Sequence, residues 1–379
     1  MSENMSPKHH GPTLPLIRVY DRWANGGTGL LLTGNIMIDR KAIAEPGNIL
    51  VEDRSNFELL RQWASVVNDT GAHIWPQLNH PGRQAIGAIN KEVVAPSAVR
   101  TNIDGMSAMF KKPRILEESE IWDIIERFGN TASILKEAGF TGVQIHGAHG
   151  YLVSQFLSPL TNHRTDRWGG SLENRARFVR EVYKNIRSKV GDGFPIGIKI
   201  NSADFQRGGF TEAESMEVAQ ILDADGVDLI EISGGTYERP AMTGAYVKKS
   251  TADREAYFLD YVKKVRRLLK APLMLTGGFR TVATMERAIA EGELDVIGMA
   301  RPFTLFPNLA DQILQGNISK IEISTPKSGL KIIDNSGFVD IKWYELQIHR
   351  LGKGLDPKPN LSTLSVIGHS LSLFLKKLL

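Results

Sequence analysis

From residue 14 to about residue 300 the chain alternates between stretches of helical periodicity and short apolar runs, which strongly limits the folds open to it. Leu14–Asn25 reads as a helix and Leu30–Thr33 as a strand. The same pairing recurs in Asn56–Asn68 with His73–Leu78, Ser119–Lys136 with Val143–His146, and Leu172–Lys189 with Ile196–Ile200. It continues in Ala213–Ala224 with Leu229–Ile232, Tyr257–Leu269 with Leu273–Leu275, and Val282–Ala290 with Val296–Met299. Strands alternating with helices indicate parallel βαβ units. Short apolar strands fit a sheet buried on both faces. The expected class is α/β, a (β/α)8 TIM barrel with seven recognisable units, one short of the eight that close such a ring. An open doubly wound sheet is the alternative, but it requires a glycine-rich dinucleotide loop after an early strand. The nearest match, GGTGLL at 26–31, follows a helix and lacks the third glycine.

A barrel domain is expected over 1–316, with a lid insertion at about 83–116 and a C-terminal extension over 317–379. The extension reads as packed on the barrel or on a partner subunit, which admits a homo-oligomer. The sequence has no cysteine, which excludes disulfides, thiolate zinc sites, a thiol nucleophile and a cysteine-ligated iron–sulfur cluster. A net charge of +4 without a basic block interleaved with aromatics gives little support to nucleic-acid binding. The first residues, MSENMSPKHHGP, have no apolar core, and no run reaches the ~20 apolar residues of a membrane span. A cytoplasmic protein is expected. The tail ends Lys376-Lys377-Leu378-Leu379, the form of a dilysine retrieval signal, but the apolar stretch Leu361–Leu375 before it suits a helix packed on the barrel better than a membrane anchor.

Active sites of parallel barrels lie at the C-terminal ends of the strands. There the sequence places Thr33-Gly34, Gln77, the loop with His146, His149 and Tyr151, Lys199 two residues before Asn201, Ser233-Gly234-Gly235, Gly277-Gly278 and Ala300-Arg301. Glycines after the last strands let a backbone approach an anion closely, and an arginine adds charge-assisted hydrogen bonds. A phosphate site is one reading; a tight turn beside a surface ion pair is the other. Lys199 suits either an anionic ligand or a salt bridge at the barrel mouth. His146-x-x-His149 suits a pair of hydrogen-bond donors or a metal site, although the HGAHGY loop offers no carboxylate.

Residues 144–178 read QIHGAHGYLVSQFLSPLTNHRTDRWGGSLENRARF. In HGAHGYL, FLSPLTNHRTD and GGSLENRARF this stretch resembles the Old Yellow Enzyme (NADH:flavin oxidoreductase) family. The resemblance implies FMN as cofactor, NADH or NADPH as hydride donor and a small electrophilic alkene as substrate. The implied reaction is hydride relay from NAD(P)H through FMN to the β-carbon of an α,β-unsaturated carbonyl or nitro compound. By this resemblance His146 and His149 would hydrogen-bond the electron-withdrawing oxygen of the substrate, and Tyr151 would protonate the α-carbon. Gly278, Ala300 and Arg301 would hold the FMN phosphate, while Gly34, Gln77 and Lys199 would contact its ring. Many relatives have arginine where Lys199 stands, and an ammonium lacks the bidentate fork of a guanidinium.

Relatives normally start earlier, with a hairpin and a first barrel strand whose last residues Met1 and Ser2 resemble. Ser2 matches a hydroxyl or thiol position near the flavin. The expectation is therefore a barrel lacking its first strand, through a misassigned start or a real truncation. A flavin-free inactive paralogue and a metal-dependent barrel hydrolase are the rival readings.

Overall fold

The computed structural model describes residues 3–103, 106–239, 258–327, 329 and 338–369. The first helix, α1 (Leu14–Ala24), starts where the Thr13 hydroxyl accepts the Leu16 N–H, satisfying one of the free donors of a helix start. Then follow β1 (Leu30–Met37), β2 (Ile49–Leu50), α2 (Phe57–Ala64), β3 (His73–Asn79), β4 (Val94–Ala95) and β5 (Arg114–Ile115). Next come α3 (Glu118–Glu137), β6 (Val143–Gly147), α4 (Leu152–Leu157), α5 (Leu172–Val190), β7 (Ile196–Asn201), α6 (Glu212–Asp225) and β8 (Leu229–Ser233). The series continues with α7 (Leu259–Arg266), β9 (Leu273–Thr276), α8 (Val282–Ala290), β10 (Val296–Gly298), α9 (Leu309–Leu314) and α10 (Phe338–Gly352).

Eight strands form one sheet in the order β10-β9-β8-β7-β6-β3-β1-β2, and every pair in it is parallel. Seven of them are the strands read from the sequence. The eighth, β2, pairs only with Ile36 and Met37 at the far end of β1. The fold is a (β/α) TIM barrel whose ring is open: among the described residues no strand joins β10 to Leu30–Thr33.

One strand end and one helix differ from expectation. β1 runs on to Met37, through a register irregularity between Leu32 and Asn35. The Gly34-Asn35 pair looks like a loop in sequence, but Ile36 and Met37 are buried and keep the strand in the sheet. The stretch read as helix Asn56–Asn68 is α2 followed by a separate 3-10 turn, Ser65–Val67.

The alternation within the strands sorts side chains to two faces. Ile145, Ile196, Ile198, Ile200, Ile230 and Ile232 are fully buried in the main core. Phe128 on α3 and Phe178 on α5 are fully buried there too, each contributing roughly 1.5–3 kcal/mol by leaving water. A separate cluster joins Trp75, Leu229 and Met274, with Leu30, Leu32 and Val296 packed against it. Trp75 takes the room that two glycines leave. A Cβ on Gly142 would lie 2.4 Å from its Nε1, and one on Gly197 3.0 Å from its Cζ3. Two residues further along these strands stand Gln77 and Glu231, so the layer after this apolar plug is polar.

Within 83–116, β4 and β5 form a small parallel pair, and Gly87 donates to Met109 O at 2.8 Å. Arg114 ties it down through Glu92 and Glu120. α10 lies against α1: Arg18 Nη1 donates to Gly352 O at 2.6 Å, and a Cβ on Gly352 would come within 2.9 Å of Pro15 O. No helix among the described residues is long and apolar enough to cross a membrane. The terminal Lys376 and Lys377 lie outside the described residues.

Candidate functional site

β6 carries His146 to the C-terminal mouth of the barrel, and the turn after it carries His149 and Tyr151. His149 has a left-handed backbone, φ 60°, followed by Gly150 at φ 79°. A non-glycine residue rarely takes that conformation, and it is often kept where function requires it. Here Asn201 Oδ1 accepts the His149 N–H at 3.2 Å, and Gln84 Nε2 donates to His149 O at 2.9 Å. The turn thereby swings the imidazole beside His146, with ring centroids 5.1 Å apart. The Tyr151 ring lies 4.7 Å from that of His146, edge to face.

Burial holds both imidazoles neutral. His146 Nδ1 accepts the Ala148 N–H at 3.3 Å, so the neutral ring carries its proton on Nε2. His149 Nε2 pairs with Ser233 Oγ at 2.8 Å; a serine that donates here leaves Nδ1 protonated. Burial, then the neighbouring His149 and Lys199, hold His146 well below the usual imidazole range. Burial and Lys199 do the same to His149. Both rings are therefore neutral at pH 7. Burial pushes the Tyr151 phenol upward, against hydrogen bonds from Tyr237 and Asn35 that pull it down. Its hydroxyl lies 3.1 Å from Asn35 Nδ2 and 2.5 Å from the Tyr237 hydroxyl.

Gln77 and Lys199 belong to one buried chain of hydrogen bonds. Strand register brings Gln77 beside Gln144 and Lys199 beside Glu231. Lys199 Nζ meets Glu231 Oε1 at 2.7 Å, and Gln144 Nε2 donates to Glu231 Oε2 at 2.7 Å. Gln77 Nε2 donates to Gln144 Oε1 at 2.6 Å. Gln77 Oε1 is buried and has no partner. A buried acceptor left unpaired is costly, so the site fits a ligand that brings an N–H there.

Gly278, Ala300 and Arg301 follow β9 and β10, which pair directly. Gly277 and Gly278 have φ of 111° and 87°, a backbone suited to glycine, and Arg301 is exposed in the first turn after β10. That donor set fits a phosphate. Gly34 N–H is already given to Glu3 Oε1, at 2.8 Å, and to the Tyr20 hydroxyl. Ser2 lies outside the described residues.

Sequence reasoning missed Asn35, Gln144, Glu231 and Tyr237. Glu231 and Gln144 become visible once strand register is known. Asn35 was hidden by the early strand end, and Tyr237 by lying five residues past the predicted end of its strand. Among the described residues no group of three or more His, Cys, Asp and Glu is placed to hold a metal. Arg175 is a brace: it reaches Leu157 O and pairs with Glu214 at 2.5 Å.

Residues 5–319 match the sequence profile of the NADH:flavin oxidoreductase / NADH oxidase family. The chain is 37% identical over 338 residues to the NADH-dependent flavin oxidoreductase iliE of Hypocrea jecorina, covering 83% of each protein. It is 31% identical over 327 residues to an NADH oxidase of Thermoanaerobacter brockii, covering 85% of this chain and 48% of that protein. Among solved structures, a 2-naphthoyl-CoA reductase complex superposes with a TM-score of 0.77 at 29% identity, over 83% of this chain and 49% of that one. Morphinone reductase superposes at 0.69 with 23% identity over 85% of each chain, a likeness of fold.

Proposed function

Because the chain belongs to the NADH:flavin oxidoreductase / NADH oxidase family, an FMN- and NAD(P)H-dependent group of enzymes, we propose that it reduces activated C=C bonds of small α,β-unsaturated carbonyl or nitro compounds. The observation that carries this reading is the convergence of one phenol and two neutral imidazoles at the barrel mouth.

FMN, when bound, accepts hydride from NAD(P)H and supplies it to the substrate. Gln77 and Lys199 would hold its ring edge, Gly34 would leave room beside it, and Gly278, Ala300 and Arg301 would hold its phosphate. His146 Nε2–H and His149 Nδ1–H would bind the oxygen of the substrate. Negative charge grows on that oxygen as the β-carbon gains hydride, and fixed donors aimed at growing charge lower the barrier. Neutral imidazoles suit this task, since they donate without giving up their protons. Tyr151 would then protonate the α-carbon as general acid. Its raised pKa keeps the phenol protonated until charge builds beside it.

An anaerobic titration tests the reading. FMN-loaded protein should lose its flavin absorbance on addition of NADH or NADPH and regain it on addition of an enone or a nitroalkene. Bleaching that oxygen reverses but no activated alkene does would overturn the substrate class.

A further inference from the structure

Glu231 is a fully buried carboxylate that the mechanism above does not use. It is central to the chain Lys199–Glu231–Gln144–Gln77. A carboxylate only accepts hydrogen bonds, whereas an amide has one accepting and one donating end. Glu231 therefore fixes which way Gln144 faces. The nitrogen must turn to the carboxylate, at 2.7 Å, and the oxygen must turn to Gln77. Gln77 must then spend its nitrogen on Gln144, at 2.6 Å. Its carbonyl is left over, buried and without a partner. The orientation of Gln77 is thus set two residues away, by a charge it never touches.

Glu231 has to be ionised for this. Burial pushes its carboxyl up, but the Lys199 ammonium and the hydrogen bonds on its oxygens outweigh burial, and the net shift is downward. Lys199 is itself well buried, with 11% of its side chain exposed. The pair keeps one end of the chain charged, which polarises the two amides that follow.

We propose that Glu231 is a positioning residue for the cofactor, acting through Gln144 to present Gln77 as a hydrogen-bond acceptor to the pyrimidine edge of the isoalloxazine. That edge has a single N–H between two carbonyls. An acceptor from Gln77 beside a cation from Lys199 matches an N–H next to a carbonyl. A Gln77 turned the other way would set an amide N–H against that N–H. The inference rests on the placement of FMN at Gln77 and Lys199 stated above.

The test is the dissociation constant of FMN, read from quenching of its fluorescence on binding to apoprotein. Glu231→Gln removes the acceptor-only group, and Gln144 can then face either way. FMN binding should weaken on the order of tenfold, the scale of one lost buried hydrogen bond. The double variant Glu231→Gln with Gln144→Glu moves the carboxylate one place along the chain. Gln77 must again give its nitrogen to a carboxylate, so FMN affinity should return to within about threefold of the parent. A Glu231→Gln protein that binds FMN like the parent would overturn the proposal. So would a folded double variant as weak as the single one. Should the single variant fail to fold, the double variant decides alone. Gln77→Leu separates this inference from the site it rests on. If Gln77→Leu leaves FMN affinity intact, the placement of the ring fails and the inference with it. If Gln77→Leu weakens FMN while Glu231→Gln does not, only the relay fails.

Discussion

The hydroxyl of Tyr151 lies 2.5 Å from that of Tyr237, and the two rings meet edge to face with centroids 5.6 Å apart. Tyr151 comes from the turn after β6, Tyr237 from the loop after β8. Asn35 of β1 donates to the same Tyr151 oxygen. The proposed acid is thus held by two neighbours from separate parts of the barrel. Tyr237 is 38% exposed, so it lies between the buried phenol and solvent.

Removing the Tyr237 hydroxyl should make Tyr151 a weaker acid. That hydrogen bond lowers the Tyr151 pKa, while burial raises it. In Tyr237→Phe the opposition to burial is reduced. Enone-driven recovery of flavin absorbance should slow roughly fivefold relative to NADH-driven bleaching, the scale of one hydrogen bond of about 1 kcal/mol. An unchanged ratio of the two rates would show that Tyr237 does not tune the acid.

Acidification should destabilise the fold below about pH 6.5, the ordinary histidine pKa. Burial holds His146 and His149 well below that value in the folded chain, and lowers His80 to about 4. Between the folded and unfolded pKa the unfolded chain binds a proton that the folded chain does not. Stability is then complete above the unfolded pKa and falls as pH drops, by up to about 1.4 kcal/mol per unit for each histidine. Urea midpoints at pH 7.5, 6.0 and 5.0 should fall in that order, and less steeply in His80→Asn. A flat profile would mean that these rings are not buried as neutral groups.

Arg301→Ala should weaken FMN while sparing riboflavin, which has no phosphate. Loss of a charge-assisted hydrogen bond corresponds to roughly ten- to hundredfold. Because Arg301 is exposed, salt should reduce the difference. Equal weakening of both ligands would remove Arg301 from the phosphate site.

Much of the fold was legible because seven strands of the main sheet are apolar runs between helix signals, and several helices have a start or stop that sequence displays. α6 begins at a capping box of Thr211 and Glu214 and ends at Gly226 in a left-handed turn. His146, His149 and Tyr151 were legible for a related reason: they lie within six residues at the end of one strand, so no long-range geometry is needed to bring them together. Glu231 was not. In LIEIS it looks like the single polar interruption of a buried strand, and only the register of β7 on β8 shows Lys199 opposite it. Asn35 was missed because Gly34-Asn35 carries turn chemistry, which burial of Ile36 and Met37 overrides. The tail hid α10 because its polar residues are partly consumed by contacts within the fold. Glu345 accepts from Asn4 and His349 pairs with the Glu3 carbonyl, both at the other end of the chain.

The most direct test of the central claim is where protons and hydride arrive. One turnover with an enone in D2O and unlabelled NADH should give product with deuterium at the α-carbon. With nicotinamide deuterated at C4 in ordinary water, the product should carry deuterium at the β-carbon and none at the α-carbon. Tyr151→Phe should bind FMN and bleach with NADH, yet form product on the order of a hundredfold or more slowly, the usual contribution of a general acid. Undiminished product formation in Tyr151→Phe, or an α-carbon without solvent deuterium, would contradict the roles assigned to this site.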